Sequence, residues 1–314
     1  MSNWVRVFRT LRGIFMRMTL SAVLLLALVS TSSQSMAGDR YSDVVQQMHD
    51  LQNRYPKFTS IYSIGTNDEG KDILAMRIST TPNQLDPRKI GQIIVATHHG
   101  NEGGAVTFSV YFTEQLLKRY ASGELYRGNL GQMEWTIIPV LNISGYNADE
   151  REEHGIDPNR DYPGVCIAKH GGSLKSIRLL MDLLKTRTFV GSVTVHGYEG
   201  SLTYPWGVDA DNTHTQDHDI FDSITAKAAA LNSYRYGTST DIVYPADGAY
   251  EDFVYWKYGI WSLLLELRDG SASDVQNTTK AIASYFDSLN ASPSVKNQFT
   301  AHCNNALNFA LRAE

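Results

Sequence analysis

The chain has 314 residues and a formal net charge of −5, and its composition shows no Pro/Ser-rich linker, low-complexity tract or internal repeat. The absence of a basic run argues against a nucleic-acid partner, and no basic amphipathic stretch indicates a membrane surface. We therefore expect one domain whose partner is a small molecule or a peptide.

Residues 1–37 have the pattern of a secretory signal peptide. Four arginines in the first 17 residues precede an apolar run over residues 20–29, and the small residues Ser35 and Ala37 follow. A run of about ten residues is too short to span a bilayer, which needs about 20. We predict cleavage before Gly38 and export of residues 38–314 to the periplasm or the medium without a stable membrane anchor; an uncleaved anchor is the alternative.

The hydrophobic pattern of residues 38–314 alternates between helical and strand periodicity. In chain order it predicts helix 41–55, strands 58–63, 72–78 and 92–97, helix 105–120, strand 134–140, helix 174–184, strand 191–195, helix 220–233, strand 259–267, and helices 272–289 and 294–311. This alternation predicts an α/β fold, with a single domain and a mixed, mostly parallel central sheet flanked by helices.

His99 and Glu102 lie in the polar segment that follows the predicted strand 92–97. Ligands of open α/β sheets bind at the carboxyl ends of strands. Because the two residues are three positions apart, one turn of backbone can direct an imidazole nitrogen and a carboxylate oxygen at one ion, and this pair suits zinc. The spacing alone is common by chance, so ordinary loop residues are the alternative.

His196 follows the predicted strand 191–195 in the same way. Histidines at the ends of two strands can meet across a sheet. With Glu102 they would complete a site of two histidines and one glutamate, which leaves a fourth zinc position for water. A hydrogen-bonded core histidine is the alternative interpretation of His196.

Glu266 ends the apolar run 260–265. A carboxylate at the end of a buried strand requires a partner or a function. It either pairs with an arginine such as Arg268 or Arg160, or serves as a general base with a raised pKa. Tyr244, on a loop containing Pro and Gly, either reaches the same site or is a packing residue.

The segment 155–162 places an acid, an amide and a guanidinium in one short polar loop. Arg160 is suited to bidentate binding of a carboxylate, with Asn159 as a further donor. Asp157 can accept a hydrogen bond from the distal nitrogen of a metal-bound histidine and so fix its ring. Taken separately, these residues would be interpreted as a solvated turn.

Together these segments resemble the zinc metallocarboxypeptidases of the carboxypeptidase A and B type. The resemblance runs from about residue 41 to residue 269 and rests on five pieces in order. They are His99-Gly-Asn-Glu102, the segment 155–160, His196-Gly-Tyr followed by the segment 202–207, the loop of Tyr244, and Glu266-Leu-Arg-Asp.

The resemblance implies a zinc carboxypeptidase fold that hydrolyses the C-terminal peptide bond of peptides or proteins. It implies one Zn²⁺ per chain, with Glu266 as general base. The implied zinc ligands are His99, Glu102 and His196, and the implied carboxylate-binding residues are Asn159, Arg160 and Tyr244. Arg151 takes the role of oxyanion stabiliser, although its spacing to Asn159 departs from the family pattern, and Asn101 stands where relatives often have arginine.

The matched segment 248–253 places Glu251 at the floor of the pocket for the C-terminal side chain. A carboxylate there favours Lys or Arg ends through a charge-assisted hydrogen bond; otherwise Glu251 points to solvent or pairs with a base. Cell-wall peptides ending in meso-diaminopimelate are an alternative substrate, and a peptide-binding descendant without turnover is a second alternative. Cys166 and Cys303 either form a disulfide in an oxidising compartment or remain buried thiols.

Overall fold

The computed structural model describes residues 39–123, 130–167, 171–289 and 291–304, so the predicted signal peptide over residues 1–37 lies outside the described part. The described helices are α1 (Arg40–Arg54), α2 (Gly103–Ala121), α3 (Ile143–Ala148), α4 (Lys175–Lys185), α5 (His218–Ala229), α6 (Ser239–Ile242), α7 (Tyr250–Tyr258) and α8 (Ala272–Ser288). The described strands are β1 (Thr59–Thr66), β2 (Asp72–Ile78), β3 (Ile90–Ala96), β4 (Met133–Ile138), β5 (Phe189–Gly197), β6 (Ser201–Tyr204), β7 (Arg235–Thr238) and β8 (Trp261–Leu267). Short 3₁₀ turns cover Leu130–Gln132 and Pro158–Arg160.

The eight described strands form one sheet in the order β1-β2-β4-β3-β5-β8-β6-β7. The pairs β4/β3, β3/β5, β5/β8 and β6/β7 are parallel, and the other three pairs are antiparallel. The predicted mixed, mostly parallel sheet of a single α/β domain is confirmed, and residues from Asp39 onward form one unit.

Both faces of the central strand β3 are buried. Ile94 and Ala96 belong to one hydrophobic cluster, whereas Ile93 and Val95 belong to the other. The first cluster includes side chains of α2, α5 and α8, and the second includes side chains of α4 and α7. A strand covered by helices on both faces carries a continuous apolar run, which explains the sequence of β3.

Five regular elements were not predicted from the sequence, namely strands β6 and β7 and helices α3, α6 and α7. Strands β6 and β7 have four residues each, too few for a recognisable alternation, and helix α7 begins directly after a loop rich in turn residues. The first turn of helix α7 carries Glu251.

The predicted helix 294–311 is wrong where the chain is described. Residues 291–304 contain no helix; instead Ser294 N–H donates to the Gly259 carbonyl (2.7 Å), and Cys303 forms a β-bridge with Ala210. A disulfide joins Cys303 to Cys166, so the paired alternative for the cysteines is correct. The helical pattern was overridden because tertiary partners and the disulfide bind this segment in an extended form. Residues 305–311 lie outside the described ranges.

Within the described ranges, no helix combines the length and the hydropathy that crossing a bilayer requires.

Candidate metal centre and active site

Three parallel strands carry the predicted metal ligands and the predicted base at one edge of the sheet. His99 lies three residues beyond β3, and His196 lies in β5. His196 is the register partner of Glu266 in β8. Because β3, β5 and β8 run in the same direction, their carboxyl ends bring these side chains together.

The loop between β3 and α2 is held in place by a close backbone contact. A Cβ at Gly100 would lie 2.0 Å from the carbonyl carbon of Gly145, so only glycine permits this approach. The Gly100 N–H also donates to the Arg151 carbonyl at 3.3 Å. Glu102 follows as the N-cap residue of α2. The packed loop therefore sets the position of His99 relative to Glu102.

The side chains of His99, Glu102 and His196 are buried and direct their ligand atoms at a common point. The two Nδ1 atoms are 3.1 Å apart, and Glu102 oxygens lie 2.7 Å from His99 Nδ1 and 2.9 Å from His196 Nδ1. With zinc–nitrogen bonds of about 2.0–2.1 Å, two ligands of a tetrahedral site lie about 3.3 Å apart. The spacing and the chemistry of the donors fit one zinc ion.

The electrostatic surroundings keep Glu102 ionised. Burial raises its pKa, but His196 and His99 more than offset this effect and hold the pKa at about 2. A carboxylate that is already deprotonated can bind a cation without releasing a proton.

Asp157 lies within hydrogen-bond distance of the ring of His99. Its Oδ1 lies 3.1 Å from His99 Nε2, which leaves His99 Nδ1 directed at the metal position. The same carboxylate accepts hydrogen bonds from the Arg151 guanidinium (2.8 and 3.1 Å) and from the Asn159 N–H (2.9 Å). Burial raises the pKa of Asp157, but these hydrogen bonds and charges bring it well below its ordinary value.

Arg151 lies beside the ligand cluster despite its unusual sequence spacing. Its Nη1 is 3.1 Å from His99 Nδ1 and 3.8 Å from a Glu102 oxygen. A guanidinium at this position can stabilise negative charge that develops next to the metal.

Glu266 faces a small cavity that His99 and His196 also line. Its Oε2 is buried and has no hydrogen-bond partner among the described residues. Burial and the nearby Glu102 raise the pKa of Glu266 to about 9. Arg268 instead donates to the carbonyls of Asn232 and Ser233, so the alternative of a Glu266–Arg268 pair is not observed in the described part of the chain.

Arg160 and Tyr244 form the outer wall of the same cavity. Arg160 Nη2 donates to the Tyr244 hydroxyl at 3.1 Å, and Tyr244 is half exposed. Asn159 is buried between them and the pocket floor, where its side-chain oxygen accepts from the Tyr250 N–H at 2.9 Å. The loop 155–162 is thereby attached to the start of α7.

Glu251 lies at the inner end of the cavity, in the first turn of α7. It is 1% exposed, so it does not point to solvent. Its Oε2 has no hydrogen-bond partner among the described residues, and burial raises its pKa. The next residue, Asp252, is also buried and accepts from the Gly207 N–H (2.9 and 3.1 Å).

Some residues around the site were missed from the sequence. The cavity wall includes Ser239, Val243 and Leu264, whose types give no indication of a site. His98 and Thr194 form a buried chain behind the ligands. The adjacent histidines at 98 and 99 were visible in the sequence, but the hydroxyl that connects His98 to His196 was not.

A buried site of two histidines and one glutamate with room for water is typical of zinc hydrolases. The sequence profile described as zinc carboxypeptidase matches residues 44–288, and the chain belongs to that family.

Three relatives illustrate the similarity. Carboxypeptidase B of Rattus norvegicus is 23% identical over 241 residues, covering 66% of this chain and 57% of the relative. The inactive metallocarboxypeptidase ECM14 of Saccharomyces cerevisiae is 21% identical over 262 residues, covering 70% of this chain and 61% of the relative. Carboxypeptidase A from Helicoverpa armigera superposes with a TM-score of 0.69 at 18% identity, covering 88% of this chain and 80% of that structure. The matched segments thus cover less than two thirds of either sequence relative.

Proposed function

We propose that the protein is a zinc-dependent carboxypeptidase that removes C-terminal residues and prefers Lys or Arg ends. One observation carries the proposal: the two histidine ligands, the unpaired Glu266, the Arg160–Tyr244 pair and the buried Glu251 line a single cavity. A peptide whose terminal carboxylate reaches Arg160 would place its last peptide bond beside the metal ligands.

A zinc ion bound by His99, Glu102 and His196 would lower the pKa of water and polarise the scissile carbonyl. The charge of the bound cation would lower the raised pKa of Glu266 and favour its carboxylate form. Glu266 then accepts the proton of the attacking water and later donates it to the leaving amine. Arg151 stabilises the charge that develops on the carbonyl oxygen. Among the described residues Glu266 Oε2 has no hydrogen-bond partner, which supports this assignment, since a structural carboxylate would be paired.

Arg160, Asn159 and Tyr244 bind the terminal carboxylate of the substrate. The guanidinium provides two parallel N–H donors, which match the geometry of a carboxylate. The hydroxyl of Tyr244 is already within hydrogen-bond distance of Arg160 and can donate to the same group.

Glu251 confers the preference for a basic side chain. A buried carboxylate without a base as partner is best neutralised by the cation of the substrate. Arg160 is the only lysine or arginine among the described residues that line the cavity, and it is already assigned to the terminal carboxylate. Since meso-diaminopimelate brings a second carboxylate, this pocket favours Lys or Arg over a wall-peptide end.

Substrate binding requires the outer wall to move. The cavity measures about 30 Å³, far below the roughly 300–1,000 Å³ of ordinary ligand pockets. Tyr244 is 49% exposed and lies on the loop between α6 and α7, so it is the side chain that can turn outward to admit a lysine.

We also propose that the protein is exported. The signal-peptide pattern of residues 1–37 supports this location, and the disulfide Cys166–Cys303 supports an oxidising compartment.

The test uses zinc-loaded protein and matched peptides ending in Lys, Arg, Phe or Glu, together with a wall tripeptide ending in meso-diaminopimelate, analysed by mass spectrometry. We expect loss of one terminal residue, fastest from Lys and Arg. Cleavage of the wall peptide alone would replace the proposed substrate, and cleavage of none would favour the peptide-binding alternative.

Glu266→Gln separates catalysis from binding, because Gln retains the shape but cannot accept the proton. We expect it to abolish turnover while leaving peptide binding detectable by calorimetry. The control is Glu69→Gln, the same change at an exposed residue in the β1–β2 turn. A Glu266→Gln protein that hydrolyses peptides at the parent rate would refute the assigned base.

A further inference from the structure

A buried hydrogen-bond chain begins at the ligand His196 and leads away from the cavity. His196 directs Nδ1 at the metal position, and its other ring nitrogen, Nε2, lies 3.1 Å from Thr194 Oγ1. Thr194 Oγ1 is 3.0 Å from His98 Nδ1, and His98 Nε2 is 2.8 Å from the Tyr162 hydroxyl. All four side chains are at most 1% exposed.

We propose that Thr194 is a positioning residue for zinc binding, which accepts the Nε2–H of His196 and fixes its ring angle with His98 as its support. A histidine that binds metal through Nδ1 carries its proton on Nε2 and must donate it. Thr194 Oγ1 is the acceptor within hydrogen-bond distance of that nitrogen. The inference rests on the proposed zinc ligands, but it concerns affinity for the ion rather than turnover.

The direction of each hydrogen bond follows from this starting point. Because Thr194 accepts from His196, its single hydroxyl proton is directed to His98 Nδ1. The proton of His98 is then on Nε2 and is donated to the Tyr162 oxygen. The opposite direction along the chain would place a proton on His196 Nδ1 and block metal binding. A threonine hydroxyl that accepts from His196 and donates to His98 therefore satisfies both histidines in the tautomer of His196 that binds zinc.

Packing holds the supporting ring of His98 in one orientation. Tyr162 and Tyr250 lie against it, with ring centroids 5.8 and 5.4 Å away, and its ring is within 16° of parallel to that of His196. The His98 carbonyl accepts from Asn142 Nδ2 at 3.1 Å, which fixes the backbone next to His99. The two histidine ligands are thus oriented by different partners, His99 by Asp157 and His196 by Thr194.

The test compares Thr194→Val, Thr194→Ser and the parent protein by competition for zinc with a chromophoric chelator. Valine keeps the shape of threonine but leaves the Nε2–H of His196 without an acceptor, so we expect zinc affinity to fall about 10–100-fold. Serine restores the hydroxyl and should restore affinity. The cobalt-substituted proteins provide a spectroscopic readout, in which the Val variant alone should show altered visible bands.

Ser192→Ala is the matched control. Ser192 lies two residues earlier in β5, is equally buried, and bonds the Tyr250 hydroxyl at 2.9 Å rather than a metal ligand. Its loss should reduce the free energy of unfolding without changing zinc affinity. If Thr194→Val and Ser192→Ala bind zinc as tightly as the parent, Thr194 has only a structural role and the inference is wrong. If the parent itself binds no zinc, the ligand assignment fails instead.

Discussion

Glu251 and Asp252 are adjacent buried carboxyl groups with different surroundings. The Gly207 N–H donates to both side-chain oxygens of Asp252. In contrast, Glu251 Oε2 has no hydrogen-bond partner among the described residues, and Glu251 lines the cavity. Two carboxylates cannot both ionise at low cost at such a position. This difference supports the proposed role of Glu251 in substrate binding, whereas Asp252 is bonded within the fold.

Replacing Glu251 should change specificity more than catalysis. For Glu251→Gln we expect kcat/KM for Lys-ended peptides to fall roughly 10–150-fold, since a charge-assisted hydrogen bond is lost. Phe-ended peptides, measured in the same assay, should be cleaved at least as fast as by the parent. An equal loss for Lys and Phe ends would contradict the assignment, and Glu69→Gln again serves as the control.

Asp252 should make the stability of the protein depend on pH. Burial and the neighbouring Glu251 raise its pKa well above the ordinary value. The folded state therefore retains a proton that the unfolded state releases, so its contribution to stability is complete below the unfolded pKa and is lost as pH rises through the folded pKa. We expect Asp252→Asn, which keeps one acceptor for Gly207, to reduce this loss.

The measurement is the urea midpoint of the parent and of Asp252→Asn from acidic to neutral pH, with EDTA present so that zinc binding does not contribute. Asp68→Asn, at an exposed turn residue, is the control and should leave the pH dependence of the parent unchanged. If the plots of urea midpoint against pH were parallel for the parent and Asp252→Asn, Asp252 would be ionised in the folded protein and the prediction would be wrong.

At the scale of elements, the β3–α2 loop determines whether the site assembles. Gly100→Ala would force a Cβ against the backbone of Gly145, which contains no flexible side chain that can yield. We expect about 1–3 kcal/mol lower stability, as for other overpacked sites, and a weaker affinity for zinc because His99 and Glu102 would shift apart.

Thermal unfolding and zinc competition check this prediction. Gly103→Ala provides the same change three residues later, where the new Cβ would meet only the end of the Arg40 side chain at 3.4 Å. A Gly100→Ala protein with the stability and zinc affinity of the Gly103→Ala protein would contradict the role given to the loop.

Elements buried on both faces were the ones most predictable from sequence. Strand β2 has the predicted bounds 72–78, and β3 and β8 differ from prediction by only a few residues, because long apolar runs have few other interpretations. Strands β6 and β7 are too short for a pattern, and the segment 294–304 has a helical pattern but an extended structure, since its partners are distant in sequence.

The candidate site was predictable only in part, for a similar reason. The ligand pair His99 and Glu102 is local, and its spacing is visible in the sequence. The contacts of Thr194 with His98 and of Asp252 with Gly207 join residues distant in sequence, which no local pattern records. For Arg151 the sequence signal was weak, because its spacing to Asn159 is unusual. Its guanidinium nevertheless lies beside His99.

At the scale of the whole molecule, the disulfide closes a long loop. Cys166 and Cys303 are 137 residues apart, and their bond holds the extended C-terminal segment against the loop that follows Arg160. We expect Cys303→Ser to lower the free energy of unfolding by about 2–5 kcal/mol.

Urea denaturation measures this loss, and the parent protein treated with reductant should match Cys303→Ser. The variant Cys166→Ser should be no less stable than Cys303→Ser, because either change removes the same bond. Oxidised and reduced parent proteins with the same urea midpoint would contradict the prediction.

If the chain were cut inside the loop closed by this disulfide, the bond would keep the two parts of the site covalently connected. The loop between β6 and α5 contains the exposed residues Asp211, Asn212 and His214. A single proteolytic cut there would leave His99, Glu102 and His196 on one fragment, and Tyr244, Glu251 and Glu266 on the other. Since Cys166 and Cys303 fall on opposite sides of that cut, the fragments would migrate as one band on a non-reducing gel and as two bands after reduction. Reduction would thus separate a fragment that carries the three proposed metal ligands from a fragment that carries the proposed base Glu266 and Glu251.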